Sequence, residues 1–184
     1  DALLAAIDAC NDAQPPLDPL RVTVGDEIQG VYATLGQAVA AMLMLRDELL
    51  GTAEVRCGLG GGDVHVIDAK RGIQDGSAWW KAREAIERAE ALSRQPGNRT
   101  SRTALIDTRA VANPLVDPTL RVIDAKLAAL SPGSRRSWVH LRAGLDNATA
   151  ARLEGVTPSA NSQRINDHGL RPLVALVEAM TKLP

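Results

Sequence analysis

Along the first half of this chain the spacing of apolar residues switches back and forth between two periods, and that alternation limits the available folds more than any other feature. Leu3, Leu4, Ile7 and Cys10 recur at helical intervals, after which "AQPPLDP" breaks the chain. From Leu20 to Val24 the apolar positions alternate with Arg21 and Thr23, and alternation resumes with Ile28 and Tyr32. This predicts two strands joined at "GDE". Thr34 is placed to cap a helix whose buried stripe is Leu35, Ala38, Val39, Met42, Leu45 and Leu49, ended by Gly51. The strand "EVRCGL", the turn "GGGD" and the shorter strand "VHVI" read as a second hairpin, and "KRGIQDGS" reads as a loop. A helix to about Leu92 follows, with Trp79, Ala82, Ile86 and Ala89 on one face. The order helix, hairpin, helix, hairpin, helix predicts an α+β domain over residues 1–95, an antiparallel sheet with covering helices.

The polar, basic stretch "SRQPGNRTSR", punctuated by Pro96-Gly97, predicts a linker at 96–103. No strand pattern is evident beyond it, so residues 104–184 are expected to form an all-helical module. "DPTLRVIDAKLAAL" and "PGSRRSWVHLRAGL" supply its first helices. Charge divides at about the same place: residues 1–98 hold 9 Lys/Arg against 15 Asp/Glu, a net of −6, and residues 99–184 hold 12 against 7, a net of +5. With no Phe, three Trp and one Tyr, the core has to be built from aliphatic side chains and Ala. The apolar run Ala38 to Leu45 is far too short to span a bilayer, and no secretory signal is present, so a cytoplasmic protein with no membrane partner is expected.

Within the basic half, "NATAARLEGVTPSANSQRINDHG" carries a short helix ended by Gly155 and a second begun by Thr157 as N-cap with Pro158 at the first helical position. Ala151 stands four residues before Gly155, which is the spacing of a helix-turn-helix at about 146–167. In that arrangement the second helix enters the major groove, with Thr157 at its start, Ser159, Ser162, Gln163 and Asn166 facing DNA, and Arg164 on the flank. Asn161 falls where an aliphatic residue usually packs the second helix onto the first. It must find a partner, or the helix is rotated and the groove-facing set shifts. The other reading is a helical pair used for packing or dimer contacts alone.

Other motifs point less clearly. Asp26-Glu27 is either a solvated hairpin turn, which Gly-Asp favours, or a metal or ligand site. "GLGGGD" lacks the Lys-Ser/Thr of a phosphate cradle and reads as a turn. His65, His140 and His168 are scattered, and Cys10 and Cys57 are expected as free thiols, buried or half-buried.

"TVGDEIQGVY", a helix ending in "LR", "VRCGLGGGDV" and "IQDGSAWWKAREAIE" together resemble the SatD family of bacterial proteins, whose C-terminal helix-turn-helix "LEGVTPSANSQR" is similar to. The N-terminal half is more distantly similar to nucleotidyl cyclase domains. The resemblance implies a ferredoxin-like, cyclase-like sheet. Family members usually begin with a strand bearing an Asp, and this chain begins at Asp1, inside a helix, without it. It also implies that Asp26, with Glu27 beside it, matches a carboxylate that holds magnesium over a nucleotide's phosphates. Arg83 matches a helix Arg of the cyclase site, while Trp79 replaces the Asn expected four residues before it. With that first-strand Asp and the Asn both lacking, catalysis is not expected and no catalytic residue is assigned. Two functions follow: a DNA-binding regulator acting as a homodimer, or a nucleotide-binding, cyclase-like protein with a helical appendage. A partner-binding scaffold is a third.

Overall fold

The computed structural model describes residues 2–184 as a mixed α+β structure. Helix α1 (Ala2–Ala13) precedes the hairpin β1 (Asp18–Val22) and β2 (Ile28–Val31), and α2 (Leu35–Glu48) follows. Thr34 caps α2 as its sequence predicts: its hydroxyl accepts the Gln37 N–H and Gln37 reaches back to the Thr34 N–H, a capping box. Then come β3 (Cys57–Gly61), β4 (His65–Asp68), β5 (Ile73–Asp75) and α3 (Ser77–Ser93). The chain ends with β6 (Thr103–Asp107) and five helices: α4 (Val116–Ala128), α5 (Pro132–Arg142), α6 (Asn147–Leu153), α7 (Pro158–Asp167) and α8 (Leu170–Met180).

The strands form three separate pairs, and two expectations are corrected by them. β3 does not turn back at "GGGD"; it pairs in parallel with β6, from Cys57 opposite Thr103 to Gly61 opposite Asp107. The second hairpin lies further on, between β4 and β5, so part of the segment read as a loop is strand. Residues 104–184 are therefore not all-helical at their start: "TALID" is a buried strand, and Ser101 and Thr103 in the segment read as a linker are themselves buried. A continuous apolar run with no alternation is what a strand covered on both faces looks like.

The glycines of "GLGGGD" have a packing role. A Cβ on Gly58 would lie 2.3 Å from the Ala82 carbonyl oxygen, and one on Gly60 would lie 2.3 Å from that of Ala78. Backbone of α3 therefore rests directly on β3, which only glycine permits.

A main core joins Val39, Met42 and Leu43 of α2 to Leu105, to Leu120, Ile123 and Leu127 of α4, and to Trp138, Ile165, Leu173 and Val177 of the last helices. Apolar contact thus runs from the acidic half into the basic half. A smaller cluster holds α1 against α2 and the first hairpin through Ile7, Cys10, Leu45 and Leu49. There the Asn11 side chain accepts the Leu20 N–H at 2.8 Å and donates to the Leu20 carbonyl at 3.0 Å. Both cysteines are free, and burial pushes the Cys10 thiol up to about 11. Among the described residues no helix is long and apolar enough to cross a membrane.

Candidate nucleic-acid interface

Helices α5, α6 and α7 form a three-helix unit in which α6, the turn at 154–156 and α7 have helix-turn-helix connectivity. Asp146 opens α6 by accepting the N–H groups of Ala148 and Thr149, both at 2.9 Å. Hydrogen bonds from Thr149, side chain first, hold its carboxyl below the usual range. The buried Ala150 and Ala151 keep the inner face of α6 low, and Gly155 takes φ +63° in the turn. Thr157 opens α7 by accepting the Ala160 N–H at 3.1 Å, with Pro158 next.

Asn161 is fully buried and both ends of its amide are satisfied. The Ser137 hydroxyl of α5 donates to its Oδ1 at 2.7 Å, and its Nδ2 donates to Asn147 Oδ1 of α6 at 2.9 Å. Asn147 in turn donates to the Pro158 carbonyl at 2.9 Å. A polar network therefore stands where an aliphatic contact was expected and holds Asn161 inward, with Ile165 one turn on packed into the main core. Of the residues expected to face DNA, Thr157, Ser159, Gln163 and Asn166 are exposed and Ser162 is half-buried. The Arg164 guanidinium lies over the α5 N-terminus, so close that a Cβ on Gly133 would fall 2.9 Å from its Cζ. Its Nη1 is buried without a hydrogen-bond partner among the described residues. Arg152, His168 and Arg171 are exposed nearby in sequence.

The unit is braced from two sides. Glu154, at the end of α6, is paired with Arg136 and, at 2.9 Å, with His140 of α5. Burial alone would raise the Glu154 carboxyl, but hydrogen bonds from Arg136 and His140 outweigh it and hold the group below its ordinary value. On the opposite side, Asp47 of α2 receives Trp138 Nε1 at 3.2 Å, Arg135 at 3.5 Å and a close contact from Arg142. Arg142 also lies over the Trp138 ring, 5.4 Å from its centroid. Trp138 is the neighbour of Ser137, so one turn of α5 contacts both α2 and the Asn161 network. Nothing in the spacing of Asp47 identifies it as an anchor 91 residues from Trp138.

The hairpin carboxylates lie elsewhere. Thr23 N–H bonds to the Glu27 carbonyl at 2.9 Å, and Gly25 at φ +68° makes the turn. Both Glu27 oxygens accept from Arg83 of α3, at 2.8 and 3.1 Å, while Asp26 is exposed. Glu27 is paired with Arg83, and among the described residues no group of three His, Cys, Asp or Glu side chains is gathered to hold a metal. Arg83, expected at a ligand site, ties the hairpin to α3 through Glu27. Compared with family models, curated proteins and solved structures, the chain matches none.

Proposed function

We propose that this chain is a DNA-binding regulatory protein of the SatD type, in which α7 reads the major groove and the acidic α+β half senses a signal or assembles copies. The observation that carries the reading is the seating of α7. Asn161 and Ile165 are turned inward, which leaves Ser159, Gln163 and Asn166 on one exposed, mostly uncharged polar face at i, i+4 and i+7. Side chains of this type hydrogen-bond to base edges, and Gln and Asn pair with adenine. The net charge of +5 over residues 99–184 supports contact with phosphates. A dimer would present two such helices to paired half-sites.

The test is a fluorescence-anisotropy titration of the full chain against duplex DNA of random sequence at two salt concentrations. Binding should weaken steeply with salt. The variant Arg152→Gln, which removes an exposed charge, should bind less tightly and reduce the slope of log K against log salt by about 1. Absence of binding at low salt would dispose of the reading and leave α6 and α7 as a packing unit.

A further inference from the structure

An open groove of about 590 Å³ lies between α3, β6 and the segment that leads into α4. It is lined by Arg88 and Arg121, by Asp107 and Asp117, and by the apolar Leu105, Ala112, Pro114 and Pro118. Apolar surface with a few convergent polar groups is the usual make-up of a small-molecule site.

The electrostatics of the groove are unbalanced. Asp117 is the counter-ion that faces both arginines: its Oδ2 accepts Arg88 Nη2 at 2.8 Å and lies 3.5 Å from Arg121 Nη2. Its other oxygen is already engaged by the Leu105 N–H at 2.9 Å. The second carboxylate of the lining, Asp107, is neutralised by Arg109, which grips it with Nε at 2.9 Å and Nη2 at 2.7 Å. Two guanidinium groups therefore share one carboxylate oxygen, and the wall keeps one positive charge in excess. The Arg88 and Arg121 side chains stay partly exposed, and an anion reaching their guanidinium groups would make charge-assisted bonds.

We infer that this groove binds a small organic anion, a carboxylate or phosphate monoester on a compact apolar body, with Arg88 and Arg121 holding the anionic group and Leu105, Ala112 and Pro118 covering the remainder. Both elements of the ligand are needed, since the arginines supply no shape and the apolar wall supplies no charge. The site is joined to the rest of the fold through α4. α4 enters the main core through Leu120, Ile123 and Leu127, the same core that seats Trp138 and Ile165. The binding site itself does not depend on the DNA reading.

Phenyl phosphate is the probe, titrated into the isotope-labelled full chain and followed by amide NMR, with phenol, benzoate and inorganic phosphate in parallel. Saturable shifts at the amides of Leu105, Ala112 and Asp117 are expected with phenyl phosphate, at low millimolar ligand or below. Benzoate giving the same map identifies a carboxylate ligand, and phenyl phosphate alone giving it identifies a phosphate monoester. Arg121→Met should weaken binding by about tenfold, and Arg121→Lys, which keeps the charge, should recover part of it. The inference falls if phenol shifts the same amides equally, if the shifts map to another face, if Arg121→Met and Arg88→Met bind as the parent does, or if no saturable shift appears with any probe. Mapping on the unaltered chain decides the matter even if a variant does not fold.

Discussion

The Asp124 carboxylate accepts the backbone N–H of Thr103 at 2.8 Å, so a helix side chain stands where a neighbouring strand would on the outer edge of β6. Asp117, two turns earlier on α4, does the same for Leu105. Strand residues two apart and helix residues seven apart are thereby matched, and the open edge that invites other chains is closed. Asn11 treats Leu20 of β1 in the same manner.

Asp124 should be among the most sensitive positions in the chain. It is fully buried, pairs with Arg46 at 2.6 Å, and accepts from Arg102 N–H, Thr103 N–H and the Thr103 hydroxyl. Asp124→Ala leaves Arg46 as an uncompensated and largely buried charge, and should cost about 3–5 kcal/mol in urea denaturation. A loss below 1 kcal/mol would mean that water replaces the carboxylate.

Asn161 separates stability from recognition. Asn161→Leu keeps the branching of the side chain but is larger and leaves Ser137 and Asn147 without their buried partner, and should lower stability by about 1–3 kcal/mol. Gln163→Ala and Asn166→Ala remove exposed side chains and should stay within about 0.5 kcal/mol of the parent. Equal thermal stability across all three would show that the network adds nothing to the packing of α7.

Gly60 should tolerate no side chain. Gly60→Ala drives a methyl group into the α3 backbone at Ala78, where neither element can retreat without leaving the core. A loss of about 1–3 kcal/mol is expected by chemical denaturation. An unchanged midpoint would show that α3 slides freely over β3.

Acid should loosen the brace between α5 and α6. The folded value of Glu154 lies below its unfolded value of about 4.3, so its contribution is fully present above that pH and is lost as pH falls through the depressed folded value. Glu154→Gln should therefore be less stable than the parent near neutrality and should show a flatter acid limb when stability is measured against pH. Parallel curves would remove Glu154 from the acid transition.

Features set by neighbouring residues could be read from the chain: the Thr34 cap, the hairpin around Gly25, and the Thr157-Pro158 start of α7. Features that depend on distant partners could not. Thr103–Asp107 becomes a strand because Cys57–Gly61 lies beside it, and five residues with no alternation carry no period to announce that pairing. The triple glycine signals a bend locally, whereas its use is close approach to α3 at Gly60 and Gly62 and to the Asp107 side chain at Gly61. Asn161 was recognisable as an anomaly, but its remedy needed Ser137 and Asn147, from two other helices. Glu27 illustrates the same limit, since its chemistry is decided by Arg83, 56 residues away.

The parallel pairing of β3 with β6 also orders events during synthesis. The first hairpin, the second hairpin and α3 are each assembled from adjacent sequence and can form as they leave the ribosome. Cys57–Gly61 has to wait for Asp107. Until then its glycine-rich edge is unpaired and α2 lacks the helices that complete its core, so the main core closes only once the second half of the chain has been made.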